Sequence, residues 1–477
     1  MTMPVRRSIL VLCLPVLLAG CAGLSDAYRR PDPNAPAEWL GRPAAGDGQF
    51  PDQQWWSAFG SAELDRLMLD AQSANHDIRA AAARVDQARA RARIAAAGLY
   101  PSLSGDLGAG RSKSGGSEAS NSVSLGLQAS YEVDLWGLNR EAARAGEAAL
   151  LSSRFGQEVV RLSLTSDLAN SYFQLLSLND RLRTAEDNLV VARRLLALVE
   201  AQKAAGRVSA LELERQRSQL ASSEAAIAPL RQQRQVARDA LAVLLARNPA
   251  DAPDARGSLR PLALPAVVSG VPAQLIERRP DVRRAEADLL AANADVNAAR
   301  AAVLPSLTLG VGGGWQAGTL GALFGSGSGF YSLAATLAGT IFDGGRKRGQ
   351  VEVASARRAE LVENYLLAVR SSFRDVEDAF AGVEEFARQE AQQVEAAAHA
   401  REAYRLAELR YKAGAVDFST VLDAQRTLLA AESAVDQARL ARFAAHVGLY
   451  RALGGGWDGD VAGGGPAAAR VLGAVGR

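Results

Sequence analysis

Residues 122–136, with the sequence SVSLGLQASYEVDLW, alternate apolar and polar side chains almost without exception. The odd-numbered residues are apolar, and the even-numbered ones are small or polar until Trp136. A period of two predicts a β-strand with one apolar face. Similar alternation predicts strands at about 102–111, 306–316 and 330–342. The four strands pair into two hairpins, each with a loop rich in glycine and serine.

The lengths of these strands match the roughly 9–11 residues that a tilted strand needs to cross a bilayer. An apolar face suits lipid and a polar face suits water, although half of a soluble β-sandwich shows the same alternation. Membrane barrels have at least about eight strands, and open strand edges in lipid leave backbone groups unsatisfied. The membrane interpretation therefore requires several chains to pool their strands.

The first twenty residues have the pattern of a signal peptide. Arg6 and Arg7 precede a short apolar run that ends at Leu18-Ala19-Gly20-Cys21. This ending resembles the lipobox of bacterial lipoproteins, which implies that residues 1–20 are removed and that Cys21 carries lipid. Ala22 and Gly23 follow in place of an aspartate, which by the same resemblance implies the outer membrane. The alternative is an ordinary signal peptide that is followed by a cysteine.

Processing at Cys21 leaves 457 residues with no net charge and a single cysteine. Nucleic-acid binders carry a concentrated basic excess, so the charge balance argues against nucleic acid as a partner. No later stretch has about 18 consecutive apolar residues, so any membrane crossing is expected to use strands. Since no catalytic triad, nucleotide loop or metal-ligand spacing is present, we predict a protein that is not an enzyme and has no cofactor or metal.

The chain contains an internal duplication. Asp77 and Pro101 align with Asp281 and Pro305 at an offset of 204 residues, and Gly206 aligns with Gly414 at an offset of 208. We predict these segments: signal peptide 1–20, extended lipid-anchored segment 21–60, first repeat 61–248, proline-rich connection 249–270, second repeat 271–453, and disordered glycine-rich tail 454–477.

Each repeat contains a very long helix followed by a returning helix. Leu138–Ala204 and Arg346–Ala413 lack proline over nearly seventy residues, which is about 100 Å of helix. The returning helices are predicted at 209–247 and 417–453. A coiled-coil scaffold on the membrane would explain these helices, but it would leave the β-hairpins unexplained.

Several short motifs, in this order, resemble the TolC-like outer membrane efflux factors. The resemblance is to the lipoprotein branch of that family, the NodT- and OprM-like proteins, which serve resistance–nodulation–division pumps. The motifs are Leu18-Ala19-Gly20-Cys21, Tyr131-Glu132-Val133-Asp134-Leu135-Trp136-Gly137, Glu277-Arg278-Arg279-Pro280-Asp281, Leu304-Pro305-Ser306, Ile341-Phe342-Asp343-Gly344-Gly345, Tyr411-Lys412-Ala413-Gly414 and Val421-Leu422-Asp423-Ala424-Gln425-Arg426.

The resemblance implies a mainly α protein with membrane β-structure. Three chains would form a homotrimer in which four strands each build one twelve-stranded β-barrel and the long helical hairpins form a tunnel through the periplasm. The partners would be a periplasmic adaptor, an inner-membrane transporter and outer-membrane lipid. The implied function is a passive exit duct of a tripartite efflux pump, with the duct of a type I protein secretion system as the alternative. The substrate is not predicted, because the pump selects it.

The resemblance also assigns site residues. Asp423 and Arg426 match the gating aspartate and arginine of the family, whereas Ser419 stands where relatives often have leucine, which argues against a hydrophobic plug. Taken alone, Asp423 and Arg426 would be a solvated i,i+3 surface pair. The helical turns are expected to contact the adaptor, at Gly206, Arg207, Val208, Gly414, Ala415 and Val416. Glu132 and Asp134 lie on the polar strand face and are expected to line the lumen or the barrel rim.

Overall fold

The computed structural model describes residues 26–41, 51–116, 118–265, 271–455 and 457. Nine helices and four strands make up most of these residues. The helices are α1 Ala62–Ala74, α2 His76–Ala97, α3 Leu138–Ala204, α4 Ala210–Ala225, α5 Ile227–Leu244, α6 Pro272–Arg278, α7 Pro280–Ala301, α8 Arg346–Lys412 and α9 Phe418–Ala452. The strands are β1 Ser102–Ser112, β2 Ser120–Val133, β3 Ser306–Ala317 and β4 Gly329–Ala338. Short 3₁₀ helices lie at Trp55–Phe59, Pro249–Asp251 and Leu320–Ala322.

The two predicted long helices are confirmed, and each has 67 residues. Both begin after a glycine in the left-handed region, Gly137 with φ 85° and Gly345 with φ 89°. Aspartates just before these glycines accept hydrogen bonds from the first backbone amides: Asp134 from Asn139 and Arg140, and Asp343 from Gly345 and Lys347. A carboxylate at a helix N-terminus is also favoured by the helix dipole.

Two of the predicted strands end earlier in the structure than the sequence indicates. The second strand ends at Val133 rather than at residue 136, because the chain turns there and Asp134 caps α3. The fourth strand ends at Ala338 rather than at residue 342. Its pairing stops at Ser306, since Pro305 has no amide to donate to the next position of the ladder.

Two helical stretches are divided into two helices each. Residues 62–97, before the first hairpin, are interrupted at Asn75, whose side chain accepts from the amides of Asp77 and Ile78 and so starts α2. The first returning helix breaks at Ala226, three residues before Pro229, which cannot donate a helix hydrogen bond. The second returning helix has no such proline and is continuous.

The duplication is visible in matching backbone details. Helices α3 and α8 begin 208 residues apart and end 208 residues apart. Before the strands, Asn75 donates to the Leu244 carbonyl at 2.9 Å, and Arg279, 204 residues later, donates to the Ala452 carbonyl at 3.3 Å. In both repeats, therefore, the N-cap residue of the helix before the β-hairpin, α2 or α7, is hydrogen-bonded to the end of the returning helix.

The core lies where the repeats meet, around the middle of the long helices. It is built on packed aromatic rings: the ring centroids of Phe59 and Phe173 are 4.9 Å apart, and those of Phe173 and Phe443 are 5.0 Å apart. The 3₁₀ helix Trp55–Phe59 belongs to this core, so the predicted extended segment 21–60 ends before Trp55. Among the described residues, no helix is both long enough and apolar enough to cross a bilayer.

Candidate channel surfaces and gate

The four strands form one antiparallel sheet in the order β1-β2-β3-β4. The pairing register places apolar side chains on the same face of every strand, for example Leu103 opposite Ala129, Ala129 opposite Val311, and Val311 opposite Leu333. Most of the large side chains on this face are exposed, with Leu107 and Leu333 each at 75%. An exposed apolar surface of this extent marks a contact with lipid or protein.

The opposite face of the sheet is small and polar. One row across it reads Ser104, Gln128, Gly312 and Ser332. Position 314, on the same face, requires glycine, because a Cβ there would lie 2.2 Å from the Leu125 carbonyl oxygen. This division into an apolar and a polar face is the pattern of a membrane barrel wall. A coiled-coil scaffold does not need such a sheet.

Glu132 and Asp134 lie at the junction of the sheet and the helices. Glu132 is the penultimate residue of β2, opposite Thr308, and Asp134 lies just beyond the strand. Both line a recess of about 410 Å³ that also contains Lys347 and Trp136. The Asp134 carboxylate is committed to the cap of α3 and to Arg140 at 3.1 Å. This position corresponds to the rim alternative for Asp134, and lining of the lumen by Glu132 stays a prediction.

The two helical hairpins end in matching turns. Gly206 has φ 70° and Gly414 has φ 74°, and in each turn the following residue donates back to a carbonyl near the end of the long helix. Arg207, Gly414 and Ala415 are exposed, as is Gly206, while Val208 and Val416 are partly covered. The returning helix α4 begins with a capping box between Ser209 and Glu212. Gly206, Arg207, Gly414 and Ala415 are therefore accessible on the surface of the chain, whereas Val208 packs against the buried residues of the tips.

The tips of the hairpins are tied to each other. Phe418, Val421 and Leu422 of α9 pack with Val199 of α3 and Ala407 of α8. Two polar contacts add to this core: the Tyr411 hydroxyl donates to the Gln202 side chain at 2.6 Å, and Arg426 donates to the Gln219 side chain at 3.0 Å. The second hairpin is therefore bound to the first near both tips.

Asp423, Arg426 and Ser419 lie in the first turns of α9, close to this tip cluster. Asp423 is exposed, and its carboxylate forms no hydrogen bond or ion pair with any residue that the structure describes. The expected i,i+3 surface pair with Arg426 is not formed, because Arg426 reaches across to Gln219 instead. Ser419 is partly covered. A free carboxylate on an exposed helix face is available to a neighbouring subunit or to a passing cation.

Cys21 lies outside the described residues, but the segment that follows it is placed in detail. Asp26 accepts from Arg300 at 2.5 Å, and its carbonyl accepts from Asn293 and Asn297. The Arg300 contact holds the pKa of Asp26 below its usual value. Further along, Arg30 pairs at 2.6 Å with Glu286, which is buried. Residues 26–41 are thus bound along the second repeat, starting near the point where α7 leads into β3.

Two ionic clusters in the body of the protein were not predicted from the sequence. Arg279 bridges Asp281 at 2.6 Å and Asp375 at 3.0 Å, and this explains the Arg-Pro-Asp motif before α7. Arg260 pairs at 3.1 Å with the buried Asp436 and fastens the inter-repeat connection to α9. Burial raises the pKa of Asp436 despite this contact. Asp375 and Asp436 are far in sequence from Arg279 and Arg260, so no local pattern indicates these two pairs.

The tail begins later than predicted. Trp457 is buried and packs edge-on against Phe155, with ring centroids 5.6 Å apart. The apolar contact extends the second repeat beyond residue 453, and most of the remaining tail lies outside the described residues.

Known proteins share this architecture. The family model of the outer membrane efflux protein matches residues 67–247 and 271–455. The pyoverdine export outer membrane protein OpmQ of Pseudomonas putida is 39% identical over 472 residues, covering 96% of this chain and 99% of OpmQ. The probable outer membrane lipoprotein SilC of Salmonella typhimurium is 31% identical over 451 residues, covering 92% and 97% of the two chains.

A solved structure agrees as well. The open state of the MtrE outer membrane channel of Neisseria gonorrhoeae superimposes with a TM-score of 0.80 at 30% identity, covering 92% of this chain and 99% of that one. These relatives are channel and transport proteins. The sequence resemblance to TolC-like efflux factors is confirmed, and the chain belongs to the outer membrane efflux protein family.

Proposed function

We propose that this outer membrane efflux protein is the exit duct of a tripartite pump, in which three copies of the chain form one continuous passage. The observation that carries the proposal is a four-stranded sheet with one exposed apolar face, joined directly to helices about 100 Å long. The sheet suits the outer membrane and the helices suit a tunnel across the periplasm. The duct itself is passive, and an inner-membrane resistance–nodulation–division transporter supplies the energy.

The homotrimer follows from the edges of the sheet. Strands β1 and β4 are the two edges, and each has a row of backbone groups without a partner strand among the residues that the structure describes. Such edges are not tolerated in lipid, so the barrel must close with strands from other chains. Three chains supply twelve strands, which is within the range of membrane barrels. Two chains would supply only eight, too few for a wide aqueous passage.

Anchoring through lipid on Cys21 is supported by the position of Asp26. Asp26 is five positions after Cys21, which is at most about 17 Å of extended chain. Arg300, the partner of Asp26, is six residues before the first residue of β3. A lipid on Cys21 would therefore lie close to the membrane end of the molecule, beside the barrel. Residues 1–20 would be the signal peptide that is removed.

The gate is proposed at the periplasmic tip, on Asp423, Arg426 and Ser419 of α9. Three copies of Asp423 would form an acidic ring at the narrow end of the tunnel, where cations are attracted and like charges repel one another. Contacts between subunits would offset this repulsion in the closed state. Because Ser419 is small, the acidic ring rather than an apolar plug would be the constriction.

The exposed turns at 206–208 and 414–416 are proposed as the contacts for a periplasmic adaptor. They lie beyond the ends of both long helices and expose Gly206 and Arg207 in the first turn and Gly414 and Ala415 in the second. The matching geometry of the two turns would allow one adaptor surface to bind either repeat. The division of the chain into repeats at 61–248 and 271–453, joined by 249–270, is proposed on the same duplication.

The class of cargo is proposed only in broad terms. OpmQ is named for pyoverdine export, which favours a small organic metabolite among the cargoes that relatives carry. CusC, a relative of similar length, is named for cation efflux, and TtgF for toluene efflux. The duct would accept chemically different molecules, and the transporter beside it would select among them.

The gate can be tested by conductance in planar bilayers. Asp423→Ala removes the charged ring, so we expect a higher frequency of opening and a weaker preference for cations. Asp417→Ala is the matched control. Asp417 is an exposed acidic residue at the N-cap position of the same helix, and its side chain makes no capping hydrogen bond. Equal conductance and equal ion preference for wild type and Asp423→Ala would count against the gate.

A further inference from the structure

Gln425, in the second turn of α9, is buried in an unusual way. It is 2% exposed, and neither the nitrogen nor the oxygen of its side-chain amide hydrogen-bonds to a described residue. It lies on the same helix face as the buried Val421, Leu422 and Leu428. Buried polar groups without partners are rare in native structures, and each calls for an explanation.

The first hairpin has a related residue with a partner. Gln216-Arg217-Ser218 in α4 corresponds in sequence to Gln425-Arg426-Thr427 in α9. Gln216 is fully buried, and its amide nitrogen donates to the Ala192 carbonyl of α3 at 2.9 Å, although its oxygen has no partner in the described part of the chain. The seam of the first hairpin is therefore fastened by a hydrogen bond that the seam of the second hairpin lacks.

Assembly into a trimer would not supply the missing partner. Gln425 is already covered by its own chain, so a neighbouring subunit has no access to it. A movement of α9 that opens this seam would bring the amide into contact with water. The next residue, Arg426, opposes that movement through its bond to Gln219 of the first hairpin.

We propose that the arrangement in which the hairpin tips are tied together is the closed one, and that Gln425 is a positioning residue for its gate, whose unsatisfied amide raises the free energy of this closed arrangement and so favours opening. This proposal rests on the gate proposed at Asp423. It adds a buried side chain of α9 that shifts the equilibrium between the closed and the open gate. When α9 moves, the Arg426–Gln219 bond is lost and the Gln425 amide is solvated. The two groups act in opposite directions on the same step.

The size of the effect follows from the cost of burying an amide without a hydrogen bond. That cost corresponds to about 5- to 150-fold in the equilibrium between closed and open states. A replacement of similar volume that has no polar atoms removes the cost. Gln425→Leu should therefore stabilise the closed arrangement and reduce opening by a factor in that range.

The test uses two measurements on purified full-length protein, the melting temperature and the frequency of channel opening in planar bilayers. Gln425→Leu should raise the melting temperature and lower the opening frequency, and Gln425→Met, which is unbranched, should do the same. The matched control, Gln216→Leu, loses its bond to Ala192 and should lower the melting temperature without lowering the opening frequency.

Different failures have different signatures. A lower melting temperature for both Gln425 variants, or an opening frequency equal to that of wild type, would overturn the role of Gln425. If instead the gate at Asp423 is wrong, Asp423→Ala conducts like wild type while Gln425→Leu still alters both measured quantities. The melting temperature does not depend on conduction, so it reports on the buried amide in either case.

Discussion

At the scale of single residues, the duplication offers an internal comparison at Ala246 and Gly454, which are 208 positions apart. Both end a returning helix with positive φ, 55° at Ala246 and 95° at Gly454. In both, the next residue donates to the carbonyl five positions back, as Arg247 does to Ala242 and Gly455 to Tyr450. This helix ending normally uses glycine, because a Cβ is strained in the left-handed region. The first repeat carries that strain and the second does not.

We therefore expect Ala246→Gly to stabilise the protein by about 1 kcal/mol, the usual cost of a left-handed residue other than glycine. Gly454→Ala is the matched reverse change. It should destabilise the protein, and its new Cβ would also meet the Arg278 carbonyl oxygen at 3.0 Å. Denaturant titration of the purified variants measures both changes. A loss of stability in Ala246→Gly would show that strain at this helix end is not the controlling factor.

At the scale of elements, the local sequence was sufficient to predict where the long helices and the four strands lie. The proline-free tracts gave both 67-residue helices, since nothing within them removes a hydrogen bond. The predicted end of β2 was wrong because Asp134 caps α3, and that of β4 was wrong because Pro305 has no amide with which to continue the ladder beyond Ser306. Contacts over long sequence distances, such as Arg260 with Asp436, have no local signature and could not be predicted. The sequence placed Asp423 and Arg426 on one helix, but not the bond from Arg426 to Gln219.

The Arg279 cluster yields a prediction about how helices α7, α8 and α9 are held together. Burial alone would raise the pKa of Asp281, but hydrogen bonds and charge from Arg279 outweigh it and hold the pKa below its usual value. This contribution to stability is present above the unfolded pKa, near 3.8, and is lost as the pH falls through the lower folded pKa. Asp281 is partly exposed, so its loss should cost about 1–2 kcal/mol, less than a fully buried pair.

Asp281→Asn should accordingly be less stable than wild type at neutral pH, and the difference should shrink as the pH falls below about 4. Glu277→Gln serves as the control, because Glu277 is exposed four residues earlier and should give a small difference. Thermal unfolding as a function of pH measures both. A difference between Asp281→Asn and wild type that does not change with pH would contradict the ionic role.

At the scale of the whole molecule, a single chain is an incomplete structure. Its sheet has two open edges and an exposed apolar face, whereas its helical body has a packed aromatic core. The near-zero charge of the chain is reflected in its ion pairs, since many of its 54 basic and 52 acidic residues pair with one another, as Arg30 does with Glu286 and Arg442 with Glu390. The apolar residues are divided between helix seams and a surface intended for lipid.

The mass of the intact complex, measured by native mass spectrometry after extraction from the outer membrane, tests this account most directly. We predict three copies of a chain that begins at Cys21, each heavier than the 457-residue polypeptide by its attached lipid. Several chains are expected to share the barrel, because four strands cannot close a barrel around water. A stable monomer with its strands in the membrane would contradict the shared barrel, and a chain without added lipid would contradict the anchor.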